Sequence, residues 1–229
     1  MITQLKFDYN GTRVLLHAND YHIVSEMMKE KSFYEHWLLE FIQKNFSGGL
    51  FVDIGANTGN HSIFFGLFCD CKVLSFEPLK ESANLLRINI VDNNLEKKIR
   101  VAEYAVSNQS GKTFMTIPDS REQSIGGAHI GSSGQEIEMS TLDDLLVWQE
   151  EKITLMKIDV EGNELKVVQG AMKTITKHLP ELFIEVFEQG RFNDIQSLLT
   201  PLGYEMKERY CHAPVYHFST NKNIKRTFT

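Results

Sequence analysis

The stretch that decides the fold is Phe51-Val52-Asp53-Ile54-Gly55-Ala56-Asn57-Thr58-Gly59-Asn60, in which an apolar run leads into a turn with two spaced glycines. The run predicts a buried strand, and the residues after Gly59 predict a helix. Gly55 lets the backbone turn sharply and approach a ligand, while Gly59 allows close packing where the helix begins. Because the first turn of a helix leaves backbone amides free, this unit predicts a cofactor-binding site.

A carboxylate closes the next predicted strand. Glu77 follows Val73-Leu74-Ser75-Phe76, and its separation from Asp53 is close to the ~20 residues typical of a ribose-binding acid. A carboxylate in that place can accept hydrogen bonds from both ribose hydroxyls. The alternative interpretation is a solvated strand end before Pro78.

Asp53 separates the two classes of cofactor that this geometry serves. A dinucleotide would place its pyrophosphate over the turn, where the Asp53 carboxylate would repel it. S-adenosylmethionine has no phosphate there, and a carboxylate stabilises its ammonium and sulfonium groups. The turn also has Asn57 where the dinucleotide fingerprint has its second glycine. The residues therefore favour methyl transfer over hydride transfer.

Outward from this unit, apolar runs alternate with amphipathic stretches, which predicts a doubly wound, mostly parallel α/β sheet with right-handed crossovers. The predicted strands are 50–54, 72–76, 99–105, 154–158 and 182–186, and the clearest helices are 80–93 and 161–177. A strand pair over 204–218 supplies an antiparallel C-terminal strand. Short strands at 112–117 and 136–139 flank a Gly- and Ser-rich segment, 119–135, that is interpreted as a lid.

We expect one domain, with residues 1–48 as an extension to a core of residues 49–229. Residues 5–16 alternate around Asn10-Gly11, which favours a two-residue hairpin turn. Helical spacing follows over 21–46, where Ser32 and Glu35 are spaced as a capping box. Trp37 and Trp148 are interpreted as packing residues on helix faces.

Composition argues against several classes of partner. The 229 residues carry a net charge of −6 with scattered basic residues, so we expect no nucleic-acid partner. The chain has no apolar stretch near the ~20 residues that cross a bilayer, and its start lacks the apolar segment of a secretory signal. Three cysteines without a second cluster predict free thiols. We therefore expect a cytoplasmic protein with no membrane partner.

Taken together, the motifs resemble those of the FkbM family of methyltransferases. The resemblance covers roughly residues 50–188 and rests on Asp53 to Gly59, Phe76-Glu77-Pro78, and Lys157-Ile158-Asp159-Val160-Glu161-Gly162-Asn163-Glu164. It implies a Rossmann-like sheet of seven strands, S-adenosylmethionine as cofactor, and O-methylation of a hydroxyl on a sugar or small secondary metabolite. It also implies that Asp53 and Gly55 face the methionine part of the cofactor, Glu77 the ribose and Ala105 the adenine region.

Acidic residues near the ends of the last two predicted core strands are the catalytic candidates. Asp159 ends one strand, Glu185 lies in the next, and Glu161 follows at the start of a predicted helix. Because a right-handed crossover sets these strands close together, Asp159 and Glu185 are expected to share one site, as ligands of a divalent metal or as a general base. His129 in the Gly-rich segment is a further candidate base. Metal dependence stays open.

The full prediction is a methyltransferase that takes a small-molecule or glycan acceptor. Two alternatives remain, namely a nicotinamide-dependent oxidoreductase and a nucleotide-binding module without catalysis. The predicted cofactor-binding set is Asp53, Gly55, Asn57, Gly59, Asn60, Glu77, Pro78, Ala105 and Asp159.

Overall fold

Three sheets and eight helices make up the part of the chain that the computed structural model describes, residues 2–117 and 127–221. The strands are β1 (Thr3–Tyr9), β2 (Thr12–Ala18), β3 (Leu50–Ile54), β4 (Lys72–Phe76), β5 (Ile99–Ala102), β6 (Ala105–Ser107), β7 (Gly111–Thr116), β8 (His129–Gly131), β9 (Gln135–Thr141), β10 (Ile153–Ile158), β11 (Glu181–Glu185), β12 (Glu205–Tyr210) and β13 (Val215–Ser219). The helices are α1 (Tyr21–Glu30), α2 (His36–Asn45), α3 (Asn60–Phe68), α4 (Lys80–Asp92), α5 (Leu142–Leu145), α6 (Glu164–Gly170), α7 (Met172–His178) and α8 (Gln189–Leu199).

The largest sheet has seven strands in the order β12-β13-β11-β10-β3-β4-β5. The strands from β11 to β5 are parallel, and β13 is antiparallel to both of its neighbours. This confirms the predicted Rossmann-like sheet with an antiparallel C-terminal strand. The chain runs outward from β3 to β5 and then returns to the other side of β3, so β3 and β10 flank the point where the strand order reverses. Ligands of open α/β sheets bind at that point, beyond the carboxyl ends of the strands.

Two apolar cores lie on the two faces of this sheet. Phe51 and Leu155 face a core that includes the hairpin β1–β2 and helices α1, α2 and α3. Val52 and Met156 face the other core, which includes α6, α7 and α8. Alternation of side chains along β3 and β10 thus explains why these strands are apolar at nearly every position. Among the described residues, no helix is both long enough and apolar enough to span a membrane.

The N-terminal extension packs on the sheet as an ordered hairpin and two helices. Asn10 and Gly11 have φ values of 48° and 77°, as the predicted two-residue turn requires. Asn89 of α4 and Asn93, the residue that follows the helix, anchor the hairpin, because their side chains accept hydrogen bonds from the His17 and Leu15 backbone amides at 2.6 and 3.2 Å. The extension is therefore tied to the same helix that follows the Glu77 strand.

Two predictions for the extension and the surface are wrong. The capping box is absent from the described residues, since Glu35 immediately precedes α2 with φ 56° and no side chain caps that helix. The Glu35 carboxylate lies 3.1 Å from His61 Nε2 of α3 instead. Trp37 and Trp148 are 74% and 89% exposed, so neither is a packing residue. Helical spacing predicts that each tryptophan lies on a helix face, but it does not determine whether another element covers that face.

Several predicted boundaries also shift. The strand predicted over 99–105 ends at Ala102, and Ala105 begins β6 in a separate sheet of order β6-β9-β7-β8. The helix predicted over 161–177 begins at Glu164 and is interrupted at Ala171. Just before that break, Gly170 packs so closely on β6 that a Cβ would lie 1.9 Å from the Ser107 carbonyl oxygen. In the predicted lid, β8 and the start of β9 occupy part of the segment, and residues 118–126 lie outside the described residues.

Candidate active site

The turn after β3 is shaped by residues with positive φ. Gly55 has φ 85° and Asn57 has φ 49°. The Gly55 and Ala56 amides both donate to the Phe76 carbonyl at 3.0 Å, which joins the turn to the end of β4. A Cβ on Gly55 would lie 1.7 Å from the Asp159 carbonyl oxygen, so only glycine fits there. This glycine therefore joins the turn after β3 to the end of β10.

Glu77 holds the turn from the neighbouring strand end. Its Oε2 accepts the Asn57 amide and its Oε1 accepts the Leu79 amide, each at 2.8 Å. The residue is only 5% exposed, and this burial raises the pKa of Glu77 to about 7 despite both hydrogen bonds. A carboxylate oxygen has two acceptor sites, so each oxygen can still accept one more hydrogen bond. The structure places Glu77 where it can both fix the turn and receive hydroxyl donors.

Asp159 and Glu185 come together at the carboxyl edge of the sheet. Strands β10 and β11 pair Ile158 with Ile184, so the next residues of both strands are neighbours. One carboxyl oxygen of Asp159 lies within 4.8 Å of one of Glu185. Burial, together with the Asp159 charge, raises the pKa of Glu185 well above its usual value. Burial would also raise the pKa of Asp159, but the Lys157 ammonium and the Glu185 proton hold it below its usual value. The pair thus holds one proton near neutral pH, mainly on Glu185.

Lys157 is a buried cation that the sequence reasoning did not single out. Its Nζ lies 2.8 Å from Asp159 Oδ2, and its side chain is 3% exposed. Burial alone would lower the pKa of Lys157, but the charges of Asp159 and Asp53 raise it above the usual value. Lys157 therefore stays charged and fixes Asp159 as the ionised member of the pair.

Asp53 lies in β3, where it pairs with Lys157 of β10 on one side and with Ser75 of β4 on the other. It has no exposed surface, and its Oδ2 accepts a 2.5 Å hydrogen bond from the Ser62 hydroxyl. Asp53 is not among the described residues that line the cavity. The Asp53 charge instead raises the pKa of Lys157, and Lys157 does line the cavity.

Glu161 completes a group of three carboxylates. One oxygen from each of Asp159, Glu161 and Glu185 lies within 4.8 Å of the others. Glu161 has φ 50°, an unusual conformation for a residue with a side chain, directly before Gly162. Glu161 is the exposed member of the group, and its partial loss of solvent in the cavity, with the nearby charges of Asp159 and Glu164, raises its pKa to about 7. It is therefore the member of the group whose protonation changes most readily near neutral pH.

The turn after β3, Glu77, Lys157 and the group of three carboxylates line one cavity of about 610 Å³ beside the point where the strand order reverses. Gly59 lies outside its lining, and a Cβ there would instead lie 2.2 Å from Leu86 Cδ1 of α4. His129 is exposed, and its Nδ1 is 3.3 Å from the Gly127 carbonyl oxygen. The predicted residues that line the cavity are Gly55, Asn57, Asn60, Glu77, Pro78, Ala105, His129, Asp159, Glu161 and Glu185.

The N-terminal extension supplies one wall of the cavity, which the sequence reasoning missed. The Asn60 side-chain amide makes two 3.0 Å hydrogen bonds to the Tyr34 backbone, one from Nδ2 to the carbonyl and one to Oδ1 from the amide. Burial and the charges of Glu35, Glu185 and Asp159 raise the pKa of the Tyr34 hydroxyl. Glu35 and His61 form a pair whose side chains are only 6% and 9% exposed. Asn60 thus fixes a tyrosine beside the carboxylate group.

Comparison with known proteins identifies a family and a curated protein to which this chain is similar. Residues 53–206 match the family described as the methyltransferase FkbM domain. The chain is 24% identical over 195 residues to the methyltransferase sdnD of Sordaria araneosa, covering 70% of this chain and 75% of that protein.

Solved structures support the fold. The chain is similar to a methyltransferase FkbM from Methylobacillus flagellatus, with a TM-score of 0.56 and 20% identity over 75% of this chain. That match spans only 43% of the other protein, so this chain corresponds to less than half of its length. A putative rRNA methylase from Clostridium thermocellum matches with a TM-score of 0.52 and 8% identity, covering 80% of this chain and 92% of that one. At these identities the likeness concerns the fold alone.

Proposed function

Since the chain belongs to the methyltransferase FkbM domain family, we propose that it is an S-adenosylmethionine-dependent O-methyltransferase acting on a hydroxyl of a sugar or small metabolite. The observation that carries the proposal is the group formed by Asp159, Glu161 and Glu185. These carboxylates share a cavity with the turn after β3 and with Glu77. A hydroxyl acceptor needs a group that receives its proton, and this cavity provides carboxylates beside the cofactor turn.

The residues present fit S-adenosylmethionine. The Asn57 Oδ1 atom is buried and has no hydrogen-bond partner among the described residues, so it is available to a ligand's donor group. Glu77 would receive the ribose hydroxyls on the acceptor sites that its backbone hydrogen bonds leave free. The carboxylates beyond the turn favour a cationic cofactor over a pyrophosphate. When bound, S-adenosylmethionine supplies an electrophilic methyl group.

Within the carboxylate group, Glu161 is the proposed general base. Glu185 already carries the shared proton, and Asp159 is held ionised by Lys157, which makes it a weak base. A base works best when its pKa lies near the working pH, and the pKa of Glu161 is about 7. Asp159 and Glu185 would orient the acceptor hydroxyl toward Glu161. Because the reaction needs an in-line approach, this orientation contributes much of the rate.

A divalent metal is the second candidate for this group, because three carboxylate oxygens lie within 4.8 Å of one another. Carboxylate oxygens are the ligands that Mg²⁺ and Ca²⁺ prefer. The contacts favour a carboxyl pair that shares a proton over a metal site. Lys157 already neutralises Asp159, and a metal would have to displace the proton on Glu185. Activity that is insensitive to a chelator supports the proton arrangement. Activity lost with a chelator and restored by Mg²⁺ would support the metal.

The test of the proposed function has two steps. Thermal unfolding is first measured with S-adenosylmethionine and with NAD; we expect a rise in Tm only with S-adenosylmethionine. A rise only with NAD would instead support an oxidoreductase. Turnover is then followed with a ¹³C-methyl-labelled cofactor, and NMR distinguishes an O-methyl product from an N-methyl product. Cofactor binding without transfer to any hydroxyl would support a non-catalytic binding module. The prediction of no nucleic-acid partner is tested in the same assay with RNA as acceptor.

A further inference from the structure

A second cavity of about 650 Å³ adjoins the cofactor cavity. His22, Tyr34, Glu161 and Glu185 line both. The boundary between the two cavities therefore includes Glu161, which is the proposed base, together with Glu185 and Tyr34. A molecule in this outer cavity can present a hydroxyl to Glu161 without entering the cofactor turn.

Two large exposed rings line the outer cavity. Trp37, at the start of α2, is 74% exposed, and Phe187, just beyond β11, is 64% exposed. The His36 ring lies 4.6 Å from the Trp37 ring. Aromatic rings bind the apolar faces of ligands and attract cations through their π electrons. These two residues therefore provide a surface for a ligand that has an apolar face, a positive charge, or both.

Acidic side chains outnumber basic ones around the outer cavity, whose lining also contains His22, His36 and His212. Its lining includes Glu26, Glu30, Glu35, Glu161 and Glu185, and no lysine or arginine among the residues that the structure describes. Glu35 pairs with His61, and Glu185 lies beside the Asp159 carboxyl group. Lys29 lies 3.5 Å from Glu30 in an exposed contact, which solvent screens strongly. The remaining field is negative, so it repels phosphate or carboxylate groups and attracts an ammonium.

From the shared boundary, the rings and the charges, we infer that the outer cavity binds the methyl acceptor and that the acceptor is a hydroxylated amine, such as an amino sugar or an amino alcohol. Its ammonium lies among Glu26, Glu30 and the rings, and its hydroxyl lies at Glu161. This inference rests on the proposed function, and it adds the charge of the acceptor.

The first experiment uses sets of related hydroxylated compounds in which one member is cationic, one neutral and one anionic. The sets are glucosamine, N-acetylglucosamine and glucuronate; tyramine, N-acetyltyramine and 4-hydroxyphenylacetate; and 2-amino-1-phenylethanol, its N-acetyl form and mandelate. Release of S-adenosylhomocysteine gives kcat/KM for each compound. We expect the amine to be the best member of any set that turns over, by at least about fivefold, the size expected when a cation–aromatic contact and a neighbouring charge are lost. Preference for a neutral or anionic member, or no turnover of any amine, overturns the inference.

The second experiment changes the cavity. Trp37→Ala and the double variant Glu26→Gln/Glu30→Gln are expected to raise KM for the best amine several-fold and to leave the cofactor Kd unchanged. The matched controls are Trp148→Ala and Glu96→Gln/Glu150→Gln, at exposed residues that line neither cavity. Equal effects in the test and control variants overturn the inference. Failure of the wild-type protein to bind S-adenosylmethionine contradicts the proposed function instead, so the two failures are distinguishable.

Discussion

The carboxyl groups of Asp159 and Glu185 lie together at the adjacent ends of β10 and β11, with an oxygen of each within 4.8 Å of the other. Because the pKa of Glu185 is raised and that of Asp159 is lowered, the pair holds one proton. Lys157 stands on the other side of Asp159, at 2.8 Å, and decides which carboxyl group is ionised. The three residues form a unit whose net charge is near zero. Glu161 is thereby left as the carboxylate that can gain a proton from the acceptor.

The first prediction concerns the cofactor. Glu77→Gln is expected to weaken S-adenosylmethionine binding by about 1.5–3 kcal/mol, because the variant loses the charge that strengthens hydrogen bonds from the ribose hydroxyls. Glutamine keeps the shape and one acceptor oxygen, but its NH2 group cannot accept the second of the two backbone amides that Glu77 binds. Thermal unfolding of the variant is therefore measured alongside binding. Isothermal calorimetry measures the loss. Glu81→Gln, an exposed change in the first turn of α4, is the control. An unchanged Kd in Glu77→Gln places the ribose elsewhere.

The second prediction is a rise in kcat with pH, centred near pH 7. Glu161 must be ionised to accept a proton, and its pKa is raised to about 7. At saturating cofactor, kcat is expected to increase tenfold per pH unit below that value and to level off above it. Glu161→Gln removes the rise together with most of the activity. Persistence of the same profile in Glu161→Gln would assign the proton to another group.

Glu77 titrates in the same pH range as Glu161, but its titration is expected to change cofactor affinity rather than kcat. Its pKa is also raised to about 7, so cofactor affinity is expected to fall as the pH drops below 7, even in Glu161→Gln. Both carboxyl groups bind protons more tightly in the folded protein than in the unfolded chain. Their contribution to stability is therefore full below about pH 4.5 and is lost as the pH rises through 7. Measuring Kd and Tm against pH separates these effects from the change in kcat.

The sequence predicted the meeting of Asp159 and Glu185 because it follows from general rules of chain topology. Consecutive parallel strands with a right-handed crossover lie together, and residues at equivalent ends become neighbours. Lys157 could have been found by the same reasoning. It is a charged residue in an apolar strand, two positions before Asp159, and a buried charge requires a partner on its own face of the strand. The signal was present, but no role was assigned to it.

No comparable signal in the sequence predicts that Tyr34 forms a wall of the cavity. Its place depends on how α1 and α2 pack across the sheet, and on hydrogen bonds from Asn60, which is 26 residues away in sequence. The spacing of Ser32 and Glu35 fits a capping box locally, but the contact between Glu35 and His61 prevailed. Likewise, helical spacing cannot reveal that Trp37 borders a cavity. Long-range packing decided all three outcomes.

The third prediction concerns the buried ion pair. Lys157→Met is expected to destabilise the protein by about 3–5 kcal/mol, since it leaves Asp159 without its cation. Lys157→Met/Asp159→Asn is expected to recover much of that loss because no unpaired charge remains. Urea unfolding of both variants measures the coupling. Lys112→Met, which breaks the exposed pair with Glu136, is the control and is expected to have a far smaller effect. A double variant no more stable than Lys157→Met would show that packing, rather than charge, explains the loss.

The fourth prediction compares two glycines with nearly the same φ angle. Gly55 has φ 85° and Gly203 has φ 86°, so alanine at either position incurs a similar left-handed strain of about 1–2 kcal/mol. Their surroundings differ. A Cβ at Gly203 meets no atom within 4 Å, whereas one at Gly55 would lie 1.7 Å from the Asp159 carbonyl oxygen. Gly55→Ala must therefore push the cofactor turn away from the end of β10.

We expect Gly203→Ala to lower stability only by the strain and to leave kcat unchanged. Gly55→Ala should be destabilised by at least about 2 kcal/mol more, in the range of overpacked buried sites. Where it still folds, it should lose kcat as well as cofactor affinity, because the turn and the Asp159 carboxyl group no longer keep their spacing. Urea unfolding and steady-state kinetics of the two variants decide the matter. Equal losses of stability and activity would mean that the contact between Gly55 and Asp159 does not set the geometry of the site.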